Sequence, residues 1–373
     1  MCIRDSNAPT SLVIVSELKL ENFRCYDFIE MPINKGITLI HGKNGSGKSS
    51  IIEAIYFTLS GKSFRTADLN TLIRKQTDLT QTFITFDDAN GIKITKKMNQ
   101  KCKILQIKDK KSLTYAQLVS NYPTCLVENK EFFFTTSTPE EKRAFLNKTL
   151  FYVEQNSNTT FKDLKKIIYQ RAACLKNNDL KQITYWDQKL IEIEPSITQI
   201  NENLIASVND MLQTSEIKEH FAEKNPWLAD LAIHYAPGFD NNVDFSHILQ
   251  QNMEKDRILK RTTAGPHKRS FNILLNDVSA QDLLSRGQQK VVSIILHLIQ
   301  RELIQNKTST NPILLMDDIS SELDKDNANL MLKYLISKSI QTVMTSIEKK
   351  RFSGEKDVFM FHVEQKGDKS NVR

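Results

Sequence analysis

Leu18 and Leu20 alternate with charged residues in SELKLENF (16–23), the period of a half-buried strand. GITLIHG (36–42) is an unbroken apolar run closed by glycine. It predicts a buried strand, and after a glycine-rich turn the pattern SSIIEAIYFTLSG predicts a helix. TFITFDDANGIKIT (82–95) predicts a hairpin turning at Asn90 and Gly91, and KILQIKD a further strand. From about residue 155 the period lengthens: Phe161, Leu164, Ile168 and Leu175 share one helical face. Ile183, Trp186, Leu190, Ile193, Ile197, Ile200, Leu204 and Met211 then recur mostly at 3,4 spacing, broken near Pro195, which predicts a long helix pair with a kink there. Ordinary core packing of a helix pair is the plainer account of this spacing, beside a short coiled arm. IHYAPGFD (233–240) predicts a strand and turn, and helical residues follow to about Arg261. A long apolar helix, VVSIILHLIQRELIQ, is expected from near Val291. PILLMDD (312–318) and QTVMTS (341–346) predict buried strands flanking a helix, and DVFMFHVEQKGD a last strand and turn.

At 373 residues the chain exceeds one small core, so two domains, or one with a large insertion, are expected. Lys plus Arg exceed Asp plus Glu by 51 to 44, a net +7 that leans moderately towards anionic partners. The 5 cysteines are scattered and form no CxxC, which argues against a disulfide framework or a zinc site and fits a reducing cytoplasm. No apolar run reaches the ~18 residues of a membrane span. The opening MCIRDSNAPTSLVIV is too weakly apolar for a signal peptide, and residues 1–15 read as a leader of doubtful relevance.

GKNGSGKS fits G-x-x-x-x-G-K-[ST] at every fixed position: Gly42, Lys43, Asn44, Gly45, Ser46, Gly47, Lys48 and Ser49, with Ser50 next in the helix. The glycines let successive N–H groups turn towards the phosphates of ATP, Lys48 adds a point charge, and the Ser49 hydroxyl suits Mg²⁺. A chance match would lack the strand before and the helix after. ILLMDD supplies the expected acidic partner, with Asp317 placed to hold Mg²⁺ through water and Asp318 to polarise the attacking water. Taken alone, that pair is also what strand-end capping looks like.

The two motifs lie far apart, at 42–49 and 313–318, and a strand layer and a helical stretch separate them. This spacing is the layout of an ATP-binding cassette, in which a helical subdomain interrupts the nucleotide fold. SRGQQ then takes the place of the signature motif, and Ser285, Arg286, Gly287 and Gln288 would cap the γ-phosphate bound by a second copy. SELD (321–324) takes the place of the D-loop, with Asp324 at the same dimer contact. Each short pattern alone is also what an ordinary helix start looks like; their order is the argument. The expected architecture is α/β, a P-loop ATPase head with an antiparallel β layer and an inserted helical arm. Its parts are an N-terminal ATPase half (16–120), the arm (121–280), a C-terminal half (281–367) and a tail (368–373).

Several stretches resemble the RecF family of SMC-like DNA-repair ATPases, over about residues 16 to 367. They are LENFR (20–24), GKSFR (61–65) with Ile73 and Arg74, RAFL (143–146), QRAA (170–173), the pair Trp186–Asp187, GPHK (265–268), LSRGQ (284–288) and the DD…SELD form. The resemblance implies an ATP-dependent homodimer that binds single-stranded and double-stranded DNA at gaps. It further implies help to RecR/RecO-type mediator proteins in loading a recombinase, serving repair, replication and the SOS response. Arg65 and Arg143 are family-like positions without a definite role. Departures are Arg269 and Ser270, where the family has acidic residues, and CLVENK (125–130), which lacks a clear Q-loop glutamine. No histidine follows QTVMTS, so Thr345 or Ser346 is the candidate switch residue. Asp318 stands where a glutamate is usual, which implies slow hydrolysis.

For DNA, residues 92–111 hold eight lysines and one acidic residue, making Lys96, Lys97, Lys101 and Lys103 candidates for phosphate contact. A solvated lysine-rich hairpin explains them equally well. Arg257, Lys260, Arg261 and Lys268, with His267 and Arg269, form a second basic group beside the signature motif, for which contact with ATP is the alternative. Aromatic residues interleaved for base stacking are not evident. The rival readings are a transporter ATPase subunit, an ATPase regulating a nuclease or defence complex, and an SMC-like tether, for which the arm is too short.

Overall fold

The computed structural model describes residues 14–87, 93–99, 104–108, 111–112, 114–128, 133–154, 157–308, 310–318, 323–347, 357–366 and 369–372. The chain forms two compact units, one of residues 1–131 with 300–373, the other of residues 132–299. These divisions differ from the boundaries drawn on sequence, since residues 121–131 group with the first unit and 281–299 with the second.

The first unit opens with β1 (Val15–Phe23) and β2 (Tyr26–Pro32), which pair antiparallel. Strand β3 (Ile37–His41) is buried along its whole length, as a central parallel strand must be. It runs through the glycine turn into helix α1 (Lys48–Ser60). Strands β4 (Leu79–Phe86), β5 (Lys93–Asn99), β6 (Ile104–Lys108) and β7 (Lys111–Ser112) extend the antiparallel sheet to the order β2-β1-β4-β5-β6-β7. The expected turn at Asn90 and Gly91 lies outside the described residues. Helix α2 (Tyr115–Asn121) starts on a capping box of Thr114 and Gln117, and β8 (Thr124–Val127) follows.

In the second unit, α3 (Phe133–Thr136) and α4 (Pro139–Val153) lead into α5 (Ser157–Asn177) and α6 (Leu180–Thr214). Helix α6 runs on without interruption through Pro195, where the sequence leads one to expect a kink. Proline removes one amide from the ladder, and Ile191, four residues back, is exposed, where water can hydrate the carbonyl that loses its partner. Helix α7 (Glu216–Ala222), β9 (Leu231–Ala236), α8 (Phe245–Gln251), α9 (Met253–Leu259), β10 (Ser270–Leu275), β11 (Val278–Ser279) and α10 (Ala280–Leu283) complete the unit up to α11 (Arg286–Thr308). The arm therefore carries its own small sheet, β11-β10-β9. Helix α11 begins at Arg286, ahead of the Val291 expected from apolar periodicity. Ser285 and Gln288 explain this, because Gln288 Oε1 accepts from Ser285 N at 2.8 Å and Ser285 Oγ accepts from Gln288 N at 3.4 Å. This capping box starts the helix with polar residues.

The chain returns to the first unit with β12 (Ile313–Met316), α12 (Lys325–Ser337), β13 (Thr342–Ser346) and β14 (Val358–Lys366). Residues expected as a tail instead form β15 (Lys369–Val372), antiparallel to β14. The second sheet of this unit has the order β15-β14-β3-β13-β12-β8, parallel from β14 to β8. Helix α1 also packs on the antiparallel sheet, with Phe57 near Phe23 at 6.2 Å and Thr58 Oγ1 donating to Thr82 Oγ1 at 2.6 Å.

Candidate nucleotide site

Strand order builds the site. β13 lies between β3, which feeds the glycine turn, and β12, which ends at Asp317 and Asp318. The turn just past the end of β12 therefore lies beside the end of β13. There Thr345 Oγ1 donates to Asp317 Oδ1 at 2.8 Å and accepts from Asp318 N at 2.7 Å. One hydroxyl thus orients one carboxylate and the backbone of the next. Asp318 has a positive φ of 47°, a left-handed conformation that turns the chain sharply off the strand.

Two glycines of the turn are required by space as well as by dihedral. A Cβ on Gly42 would lie 2.3 Å from Val363 O of β14. Gly47 has φ +107°, and a Cβ there would meet Cys25 Sγ and Tyr26 Oη, both at 2.8 Å. Tyr26 Oη also donates to Gly47 O at 3.1 Å, and burial pushes its hydroxyl pKa upward. Lys48 is buried and donates to Gly42 O at 2.8 Å and Lys43 O at 2.9 Å, so its ammonium sits in the concave side of the loop. Burial lowers its pKa, while the charges of Asp318 and Asp317 oppose that shift.

A cavity of about 660 Å³ opens here, lined by Asn44, Gly45, Gly47, Lys48, Ser49, Ser50 and Asp318 of the motifs, and by Arg24, Cys25, Arg65 and Arg74. Sequence reasoning missed Glu53, which organises this wall. It is fully buried in α1 and takes Arg24 Nε at 2.9 Å, Arg24 Nη2 at 2.6 Å, Ser63 Oγ at 2.5 Å and Arg65 Nη1 at 3.4 Å. The LENFR and GKSFR stretches thus converge on one carboxylate, and Arg65 acquires a contact. The donor set fits a magnesium-bound nucleoside triphosphate: a glycine cradle, an ammonium, the Ser49 hydroxyl, two carboxylates and an arginine-rich wall. Ser46 Oγ, buried within the loop, has no hydrogen-bond partner among the described residues.

The remaining predicted residues scatter. Ser285, Arg286, Gly287 and Gln288 sit at the start of α11 in the second unit, where the neighbouring Gln289 amide donates to Leu284 O at 2.8 Å. Asp324 caps α12 by accepting from Asn327 N at 2.8 Å. Burial disfavours its charge, yet the Asn327 hydrogen bonds hold its pKa below the usual value. Ser321 and Glu322 lie outside the described residues.

Lys96 is not a DNA contact. On β5 it shares the inner face with Ile94 and Met98, is fully buried, and donates to Phe57 O at 2.8 Å. Lys97, on the other face, is half-buried, and Lys101 and Lys103 lie outside the described residues. Arg257 pairs with Glu254 at 3.0 Å and donates to Asn178, Lys260 and Arg261 are exposed, and Lys268 is half-buried.

Other family-like stretches form the interior of the second unit. Arg171 of QRAA donates to Asp187 of the Trp186–Asp187 pair at 2.5 Å, and to Asp256 Oδ2 at 2.6 Å. Arg143 donates to Lys268 O and Arg269 O, both at 3.2 Å, and so holds the GPHK turn. Arg269 is buried against the Phe161 ring at 4.5 Å and bonded to Asn201 and Asn147, which accounts for a cation where the family has an acid. Burial brings its pKa down to about 10. Among the described residues no helix is long and apolar enough to cross a membrane.

Parallel strands, glycine cradle and paired strand-end aspartates define an ABC-type ATPase head of the SMC kind. The chain belongs to the RecF/RecN/SMC N-terminal domain family, whose model matches residues 14–370. It is similar to the DNA replication and repair protein RecF of Shewanella sp. (strain MR-7), 30% identical over 357 residues, spanning 93% of this chain and 97% of that one. It is also similar to the protein of the same name from Hahella chejuensis, 28% identical over 366 residues and 94% of this chain and 97% of that one. Among solved structures, the recombination mediator protein RecF–ATP of the RecFOR pathway superposes with a TM-score of 0.79. It is 20% identical, over 99% of this chain and 100% of that one. The Smc head of Pyrococcus furiosus, bound to part of ScpA, superposes with a TM-score of 0.57 at 17% identity, over 97% of this chain and 96% of that one.

Proposed function

We propose that this chain is an ATP-dependent DNA-binding protein of recombinational gap repair. It binds ATP with Mg²⁺ at the glycine turn, with Lys48 on the phosphates and Ser49 and Asp317 on the metal. Asp318 polarises the attacking water, and hydrolysis is slow and DNA-stimulated. Two copies close on ATP, each offering Ser285, Arg286, Gly287, Gln288 and Asp324 to the nucleotide held by the other. The closed dimer binds single-stranded, double-stranded and gapped DNA in the cytoplasm, at the nucleoid, and helps RecR/RecO-type mediator proteins load the recombinase.

The Thr345–Asp317–Asp318 arrangement is the observation that carries the ATPase part of this reading. A strand-end cap alone would not need one hydroxyl tied both to the Asp317 carboxylate and to the Asp318 backbone beside a P-loop. Family membership carries the DNA part. The test is ATP turnover against protein concentration, without DNA and with single-stranded, duplex and gapped DNA, beside Lys48→Arg. Specific activity that climbs with concentration and with DNA is expected. A rate flat in both would leave a P-loop protein without this mechanism.

A further inference from the structure

The hairpin of α5 and α6 carries an outer face that neither the nucleotide site nor the core uses. Lys165, Lys166 and Tyr169 lie three, four and seven residues after Lys162, and Lys176 seven after Tyr169, so they share one side of α5. The four lysines are exposed, and none makes an ion pair among the described residues. Tyr169 is 72% exposed and Tyr185, on α6, is 55% exposed, the largest exposures among the described Phe, Tyr and Trp residues of this unit. Core packing explains neither ring. A groove of about 460 Å³ joins the two helices and is lined by Lys166, Tyr185, Trp186 and Lys189. Within it the Tyr185 and Trp186 rings meet edge-on at 5.0 Å, and Lys189 Nζ lies 6.0 Å over the Tyr185 ring. Asp163 and Glu192 border the same groove, and Glu192 is paired with Lys189 at 2.6 Å.

We infer that this face is a platform for single-stranded DNA, an inference that rests on the DNA-binding reading above and gives it a surface. Lysines at these intervals meet the phosphates of a strand, and exposed rings between them offer stacking surfaces for its bases. A duplex keeps its base faces stacked inside, so the rings would be idle against it. An acidic protein segment would use the lysines and likewise leave the rings unexplained. From Lys162 to Lys176 the helix rises roughly 21 Å, enough for several nucleotides.

The experiment is fluorescence anisotropy of a labelled oligo-dT and of a duplex of equal length with the full chain. Its arms are wild type, Tyr169→Ala/Tyr185→Ala, Tyr169→Phe/Tyr185→Phe and Lys162→Glu/Lys166→Glu, each checked for unchanged helicity and melting. The alanine pair is expected to weaken oligo-dT by about 10- to 100-fold while duplex affinity moves less than about 3-fold, and the phenylalanine pair to bind as wild type. The lysine variant should also lower the salt slope on oligo-dT by ~0.7 per lysine removed. An alanine pair that binds oligo-dT like wild type overturns the platform and leaves the face to a protein partner. Equal losses on oligo-dT and duplex overturn it as well. A wild-type chain that binds neither DNA sinks the DNA-binding reading itself.

Discussion

Thr345 Oγ1 sits 2.8 Å from Asp317 Oδ1 and 2.7 Å from Asp318 N, so one threonine on β13 fixes both aspartates at the end of β12. Replacing it with alanine frees the Asp317 carboxylate to rotate and leaves the Asp318 amide to find water. Partners that orient a metal-binding carboxylate are worth about 10- to 100-fold in activity. Thr345→Ala should therefore lower ATP turnover by that range with nucleotide affinity changed only a few-fold, and Thr345→Ser should restore it. Steady-state turnover beside equilibrium binding of a fluorescent ATP analogue checks both halves.

Gly47 and Gly45 give a contrast within one loop. Both have left-handed φ, +107° and +79°, which costs an L-residue roughly 1–2 kcal/mol. A Cβ on Gly45 meets nothing within 4 Å, whereas one on Gly47 collides with Cys25 and Tyr26. Gly47→Ala is expected to abolish nucleotide binding, and Gly45→Ala to weaken it modestly. Titration of both variants with the same fluorescent analogue decides it; equal losses would show that dihedral strain alone governs the loop.

What was legible in the sequence follows from this physics. The glycine turn and the Asp317–Asp318 pair could be read because backbone curvature and charge fix residue types at fixed spacing. Thr345 was legible only as one of two hydroxyls, since its meeting with Asp317 depends on strand order. Glu53 was hidden because a helix places it beside Arg24 and Arg65, which lie before and after it in the chain. Charge alone groups Lys96 with its neighbouring lysines, yet alternation along β5 puts it with Ile94 and Met98, not with Lys93 and Lys97. The start of α11 is not legible from apolar periodicity, because its capping box is polar and the apolar pattern begins only after it.

Arg171 holds two carboxylates in the interior of the second unit, and it is fully buried along with Asp256. Its charge offsets theirs; burial raises the pKa of Asp187, with Arg171 pulling it back down and Asp256 adding to the rise. Arg171→Met would leave the buried Asp256 and the half-buried Asp187 without their shared cation, a loss of about 3–5 kcal/mol. Adding Asp256→Leu should recover much of that, because it removes the stranded charge. Denaturant unfolding of the two variants tests this, and a double variant no more stable than the single one would contradict it.

Lys96 makes the stability of the first unit depend on pH in a predictable direction. Burial lowers its pKa from 10.5 to about 7, and Phe57 O is its hydrogen-bond acceptor. Below pH 7 both folded and unfolded chains hold the proton, and the folded chain bears the cost of a buried ammonium. Between about 7 and 10.5 the unfolded chain keeps a proton that the folded chain has released. Stability contributed by this site therefore rises with pH across that window, at up to about 1.4 kcal/mol per pH unit. Lys96→Met keeps the volume and removes the charge, so it should be neutral or stabilising at pH 7 and lose that slope. Unfolding free energies of wild type and Lys96→Met at pH 7 and pH 9 give the comparison, since other titrating groups cancel between them. A difference that stays constant with pH would mean that the buried lysine keeps an ordinary affinity for its proton.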